Sequence, residues 1–251
     1  MKYAYHAIGV VHSCFKEKFG IPRQAGLVPE ARGTLELFEP YNRREYLEGL
    51  EGFSHLWLQY VFHAASMPPA KSKVRPPRLG GNQRLGVFGT RSNFRPNPIG
   101  LSVVELEGIT YGQGGSLQLK GLDILDQTPV LDIKPYVPYA DCRPEAIGGF
   151  AHERPRAVKK VRFSRAVRAI FHQSMPGATP RLARLIVQVL QLDPRPAFYG
   201  DQSPSQVFGM HLLDWNVRWR VDDQFAVVTE LQTWPAVPGH GGGPGRFSGH
   251  P

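Results

Sequence analysis

"HLWLQYVFH", residues 55–63, is apolar throughout its centre apart from one glutamine. So short a run of aromatic and branched side chains, without polar alternation, predicts a central strand from Leu56 to Phe62 covered on both faces. Working outward, "YHAIGVVHS" (5–13), "GTLELF" (33–38), "RLGVFG" (84–89), "LSVVELEGI" (101–109), "SLQLKGLDI" (116–124) and "VLDIKPY" (130–136) are similar short segments separated by Gly, Pro and Asn. Their spacing predicts a β-rich domain over residues 1–146, a barrel or strongly curled sheet with the unusual residues in its loops.

The turn-rich "PYADCRPEAIGGFAHERP" (138–155) separates this region from a second one. There "RAVKKVRFSRAVRAIFHQS" (156–174) and "TPRLARLIVQVLQLD" (179–193) have helical length and partial 3.6-residue periodicity, the second opening with Thr179 as N-cap and Pro180 at N1. "HLLDWNVRWRVD" (211–222) and "FAVVTELQT" (225–233) read as a hairpin. The fold class is therefore α+β: an N-terminal β-barrel domain over 1–146 and a small α+β domain over 147–235. The Gly/Pro-rich 236–251 reads as a disordered tail.

Thirty Lys and Arg against 21 Asp and Glu give the 251-residue chain a net charge of +9. That excess suits a polyanionic partner such as nucleic acid, with a solvated basic surface as the alternative. Two cysteines, Cys14 and Cys142, exclude a disulfide framework and a Cys-based zinc site, and fit a reducing cytoplasm. No apolar run reaches membrane-spanning length and the N-terminus lacks a signal-peptide core, so neither a membrane nor secretion is expected.

Between Lys71 and Arg95 stand seven cations, with Arg75, Arg78, Arg84 and Arg91 among them, and no carboxylate. A block that cannot neutralise itself projects a positive field. Inside it, Pro96 and Pro98 deny residues 93–97 a helical conformation and hold Arg91, Arg95 and two asparagines in a stiff presentation; Gly100 permits close backbone approach where the next strand begins. Stiff arginines suit carboxylates or phosphates. His55 and His63 are an even number of residues apart and are expected on one strand face, His63 being the better site candidate. They lack a third ligand at metal-binding spacing, so no metal is expected. "LDQTPVLDIKPY" sets Asp126, Gln127 and Thr128 in a turn that is either a plain Asx-turn or a grip for a ribose or an amine. No G-x-G-x-x-G, G-x-x-x-x-G-K-[ST], H-E-x-x-H or G-x-S-x-G is present, which disfavours Rossmann, P-loop, zincin and α/β-hydrolase chemistry.

"PRQAGL" (22–27), "GLEGFSHLWLQYVFH" (49–63), "VRPPRLGGNQRLGVFGTRSNFRPNPIGLS" (74–102), "DQTPVLDIKPY" (126–136), "DPRPAF" (193–198) and "DWNVRWRV" (214–221) together make the chain resemble the TrmO family. These are methyltransferases acting on N6 of threonylcarbamoyladenosine at position 37 of tRNA. The resemblance implies S-adenosylmethionine as cofactor, a non-Rossmann β-barrel, a homodimer, and a cytoplasmic enzyme working on the tRNA anticodon loop, not on DNA. It implies a cofactor pocket from Pro22, Arg23, Gln24, His63, Ala64, Arg91, Leu101, Asp126, Gln127, Thr128 and Pro129. Ala64 stands where a polar residue is expected, and Gln127 where a D-G-T-P turn has glycine, which puts that turn's φ in question.

Within that pocket, Arg91 or Arg23 is assigned to the cofactor carboxylate and Asp126 to the ribose or sulfonium. Asp126, then His63, is the candidate base, since removing the proton of a ureido nitrogen assists its attack. Arg75, Arg78, Arg95, Lys159 and Lys160 on a basic helix running through Arg162, Arg165 and Arg168, and Arg195 are the candidate phosphate contacts. Two other readings stay open: a non-enzymatic RNA-binding module, and a methyltransferase acting on another RNA or a small molecule.

Overall fold

A computed structural model of the chain describes residues 2–64, 70–112, 114–174, 179–195 and 206–234. Its strands are β1 (Gly9–Ser13), β2 (Arg32–Leu37), β3 (His55–Val61), the short pair β4 (Lys73–Val74) and β5 (Leu85–Gly86), β6 (Ile99–Thr110), β7 (Ser116–Lys120) and β8 (Thr128–Pro135), followed by β9 (Lys160–Phe163), β10 (Val207–Leu212), β11 (Trp215–Asp222) and β12 (Phe225–Thr233). Short helices α1 (Arg44–Leu47) and α2 (Pro138–Asp141) precede α3 (Arg165–Ser174) and α4 (Thr179–Gln191). The tail at 236–251, and residues 196–198 of "DPRPAF", lie outside the described residues. Among those described, no helix is long and apolar enough to cross a membrane.

Six strands close into a barrel in the order β1-β2-β7-β6-β3-β8, every pair antiparallel. β3 is central as expected, paired with β6 on one side and β8 on the other. Its two faces differ, however. Leu56, Leu58 and Tyr60 point into the barrel and are buried, while Trp57, Gln59 and Val61 on the outer face are only half covered. Apolar residues thus fill both faces of a strand that is fully buried on one; Tyr136 shields Trp57, with ring centroids 6.1 Å apart. Likewise "RLGVFG" is mostly not strand: it holds two strand residues and then a 3-10 turn over Val87–Gly89.

The second sheet runs β10-β11-β12-β9, with β9 added in parallel to β12. Here the expected long basic helix is corrected. Residues 160–163 are an edge strand whose Val161 and Phe163 face inward, and only Arg165–Ser174 is helix. Branched and aromatic residues alternating with Lys160 and Arg162 fit a period of two as well as a helix, and pairing with β12 decides in favour of strand. Cations on the exposed side of an edge strand also discourage further pairing. α4 buries Leu182, Leu185, Ile186, Val189 and Leu190, the i, i+3, i+4, i+7, i+8 stripe of a helix laid on a core.

One hydrophobic core continues from the barrel into this second sheet. The connection between β1 and β2 is the seam. Phe15 bridges to Leu212, Leu213 N–H donates to Cys14 O at 2.8 Å, and His211 N–H donates to Glu17 Oε1 at 2.9 Å. Phe19 stacks on the fully buried Trp219 with centroids 5.7 Å apart. From α4, Arg184 Nε donates to Glu30 Oε1 at 3.0 Å.

Gln127 adopts φ +61°, the left-handed region that the glycine of a D-G-T-P turn occupies without strain. Its N–H still donates to Val11 O at 2.8 Å, so the turn closes normally. Replacing Gln127 with Gly is expected to stabilise the fold by about 0.5–1 kcal/mol, the left-handed strain exceeding the added chain entropy. Chemical denaturation of the two proteins measures it.

Candidate active site at one end of the barrel

In an antiparallel barrel, alternate connections emerge at the same end. Here the β1–β2, β3–β6 and β7–β8 connections share one end, and these carry "PRQAGL", the proline-stiffened arginine loop and "LDQTP". Together they enclose a cleft of about 1930 Å³ that extends to residues 148–155. That is larger than one small-molecule site requires and leaves room for a cofactor beside a second reactant.

The arginine loop is braced from within. Arg95 Nη1 donates to Thr90 O at 2.7 Å and to Val87 O at 3.3 Å, while Thr90 Oγ1 donates to Val87 O at 2.8 Å. With Arg95 holding the loop, Arg91 is exposed and reaches across to donate to Gln24 Oε1, tying this loop to the β1–β2 connection. Gly100 then opens β6. A Cβ there would lie 2.2 Å from Tyr60 Cε2, so only glycine lets the tyrosine ring cross this strand. Beside it Phe88, Ile99 and Leu101 are 77%, 39% and 51% exposed, an apolar wall under a cationic rim.

At the floor lies a carboxylate. Ser102 Oγ donates to Asp123 Oδ1 at 2.6 Å, and Tyr60 Oη stands 3.3 Å from Ser102 Oγ. Burial raises the Asp123 pKa to about 6 despite the Ser102 hydroxyl, backbone N–H donors including that of Ala25, and the charge of Arg91, all of which lower it. Burial first, and the Asp123 charge second, also push the Tyr60 phenol up. At the mouth, Thr128 Oγ1 donates its one proton to Leu125 O at 2.7 Å and lies 3.3 Å from His63 Nδ1. His63 therefore carries its hydrogen on Nδ1 and leaves Nε2 as an acceptor. Desolvation lowers its pKa, which keeps the ring neutral at pH 7.

The sequence matches two family descriptions, "tRNA-methyltransferase O N-terminal domain" over residues 10–142 and "TrmO C-terminal domain" over residues 156–234. The chain belongs to the TrmO family. It is 46% identical over 92% of its length to the tRNA (adenine(37)-N6)-methyltransferase of Escherichia coli strain K12, 98% of which is covered. A Pseudomonas aeruginosa protein described as a putative S-adenosylmethionine-dependent methyltransferase is 50% identical over 87% of this chain and 93% of its own. A crystal structure of TrmO from the latter organism superposes with a TM-score of 0.76 at 42% identity, covering 93% of this chain and 98% of that one. As a TrmO member the chain is an S-adenosylmethionine-dependent tRNA methyltransferase.

The cleft sorts the residues that the TrmO resemblance implied. Pro22, Arg23 and Gln24 line it from the β1–β2 connection, His63 and Ala64 from the end of β3. Arg91, Leu101 and Thr128 complete the lining members of the set. Asp126, Gln127 and Pro129 do not line it. Asp126 Oδ1 accepts from Ser13 N–H at 2.7 Å and Oδ2 from Lys16 Nζ at 2.8 Å, so it pins the β7–β8 turn to the β1–β2 connection. Pro129 pairs with Val10 inside the sheet, and Gln127 Nε2 lies 3.0 Å from His12 Nδ1. His55 does not share a face with His63, because the chain turns after Val61; His55 packs by Tyr136 at 6.3 Å.

Of the expected phosphate contacts, Arg75 and Arg78 stand exposed on the cleft rim, and Arg84, not among those expected, stands there too. Arg78 also donates to Glu153 O. Two other arginines of that set have intramolecular partners. Arg95 is turned onto its own loop, and Arg195, 7% exposed, holds Asp193 through Nε and Nη2 at 2.8 Å each. Lys159 donates to Asp223 O at 2.9 Å, and Lys160 and Arg162 lie over the Phe225 ring on the second sheet. Sequence reasoning missed two residues that line the cleft, Asp123 and Tyr60, and Ser102, which bonds to Asp123. "GLDI" did carry a signal: an aspartate between two apolar residues, Leu122 and Ile124, that are 0% and 1% exposed.

Proposed function

We propose that the chain transfers a methyl group from S-adenosylmethionine to N6 of threonylcarbamoyladenosine at position 37 of tRNA. The coarser activity, N6-methylation of adenine 37 in tRNA, is the one named for the Escherichia coli relative at 46% identity. The observation that carries the finer reading is the joining, in one cleft, of an apolar wall, two exposed arginines and a rim that carries Arg75, Arg78 and Arg84.

The residues present suit the cofactor. Arg91 and Arg23 offer bidentate donors to a carboxylate, and Leu101 and Ile99 an apolar face for an adenine ring. When bound, S-adenosylmethionine supplies an electrophilic methyl group on a positively charged sulfur. The chain's own contribution is mainly position: an in-line displacement needs the nucleophile about 3 Å from the methyl carbon and opposite the sulfur. Loops braced as Arg95 and Asp126 brace theirs reduce the entropy lost on binding.

The base must leave the anticodon-loop stack to reach the barrel end, and RNA loops are commonly read in this unstacked form. Arg75, Arg78 and Arg84 are the phosphate contacts we assign, and two chains in a homodimer would combine their rims. The cation's partner in the substrate is the threonyl carboxylate, which an unmodified adenosine lacks.

Arg91→Ala is expected to weaken S-adenosylmethionine binding at least tenfold by calorimetry, through loss of a charge-assisted bond of about 1.5–3 kcal/mol. An unchanged dissociation constant would remove Arg91 from the cofactor site. The function itself is tested by mass spectrometry of nucleosides from threonine-decoding tRNA after incubation with S-adenosylmethionine. Threonylcarbamoyladenosine is expected to gain one methyl mass. Methylation of unmodified adenosine at an equal rate would contradict the threonylcarbamoyl assignment.

A further inference from the structure

We propose that Asp123 is the catalytic residue that accepts the proton shed by the attacking nitrogen, with Ser102 and Tyr60 positioning it. This rests on the methyltransferase reading above. Two carboxylates stand near the β7–β8 connection, and the geometry separates them. Asp126 has both oxygens engaged by Ser13 and Lys16 and does not line the cleft. Asp123 lines it.

The groups facing Asp123 come from four elements. Ser102 on β6 donates to Oδ1, Tyr60 on β3 stands behind Ser102, the backbone N–H of Ala25 comes from the β1–β2 connection, and Arg91 brings a positive charge from the arginine loop. An ionised carboxylate offers about four lone-pair sites, so these donors leave capacity for a proton from the substrate. Gly100 connects the trio to the site: only a hydrogen at that position leaves room for the Tyr60 ring. Without it the phenol could not stand behind Ser102.

The step balances. The nitrogen's lone pair forms the new N–C bond as the C–S bond breaks and its electron pair remains on sulfur as a neutral thioether; the N–H proton passes to the Asp123 carboxylate and later to water. A base whose pKa lies just below the working pH is ionised there and still accepts a proton usefully. Burial places Asp123 at that point, with its pKa at about 6.

Four measurements test the assignment. First, kcat/KM of the wild type is expected to fall below an apparent pKa near 6. Asp123→Asn, which keeps the acceptor for Ser102, is expected to lower kcat 10²–10⁴-fold and to abolish that acid limb. Second, binding of S-adenosylmethionine and of its demethylated thioether product is expected to change less than threefold in the same variant. Third, Ser102→Ala removes a donor that lowers the Asp123 pKa, so the limb is expected to move to higher pH. Fourth, the ligand-free wild type is expected to lose thermal stability relative to Asp123→Asn as pH rises from 4 through 6. The folded-state pKa lies above the usual 3.8 of an aspartate, so stability from the bound proton is lost over that window.

Persistence of the acid limb in Asp123→Asn would overturn the proposal. So would its loss in His63→Gln with retention in Asp123→Asn, which would move the role to His63. Selective weakening of the sulfonium form over the thioether would make Asp123 a counter-ion instead. If the wild type itself left tRNA unmethylated, the function reading would fail, while cofactor binding and ligand-free stability would still test whether Asp123 titrates and leaves the sulfonium unpaired.

Discussion

Gly100→Ala is expected to destabilise the protein by about 3 kcal/mol and to abolish methyl transfer. The added Cβ would sit 2.2 Å and 2.3 Å from Tyr60 Cε2 and Cζ. The ring has little room to step aside: it is 5% exposed and packs edge-on against Phe62 with centroids 5.4 Å apart. Overpacking of this kind costs about 1–3 kcal/mol, and a rigid ring in a closed barrel places it at the upper end. For a chain of this size that corresponds to a fall in melting temperature of roughly 6–12 °C. The displaced ring would also leave Ser102, so activity falls further than the folded fraction does. Adding Tyr60→Leu is expected to recover much of the stability and none of the activity. Strict additivity of the two substitutions would show that the clash is not the cause.

Trp219→Ala is expected to cost about 3–5 kcal/mol, the range for deleting a buried aromatic from a core. Trp219 is fully buried between Phe19 and Phe208, with both centroid distances 5.7 Å. Its consequence reaches the cleft. Phe19 lies three residues before Pro22, and the β1–β2 connection gains its order from the second sheet through Phe19, Phe15 and Glu17. Loosening that anchor raises the entropy lost when Arg23 and Gln24 close on a ligand. A roughly tenfold weaker S-adenosylmethionine affinity is therefore expected by calorimetry at a temperature where the variant remains folded. Unchanged affinity would mean that the second sheet does not support the cofactor loop.

The barrel was legible because its strands are short and separated by turn residues, and because three connections carry residues that plain turns do not need. Alternation in an antiparallel barrel then brings those three to one end. The edge strand over 160–163 was not legible: Lys, Arg, Val and Phe in alternation are indifferent between helix and strand until β12 offers a partner. Arginine number also misled. Arg91, Arg95 and Arg195 look alike in sequence, yet Arg95 and Arg195 serve backbone carbonyls and Asp193, while Arg91 spans two loops in the cleft. Asp126 draws attention through its D-x-T-P turn, and its carboxylate is held by Ser13 and Lys16. Asp123 sat unmarked three residues earlier, because the role proposed for it rests on burial beside β6, a contact that sequence spacing does not encode.

That one end of the barrel is the cofactor socket is tested most directly by hydrogen exchange with and without S-adenosylmethionine. Slower exchange is expected at residues 22–27, 88–101 and 123–128 together, with β10–β12 unchanged. Protection confined to the second sheet, or found in only one of those three connections, would contradict a single socket built from all three.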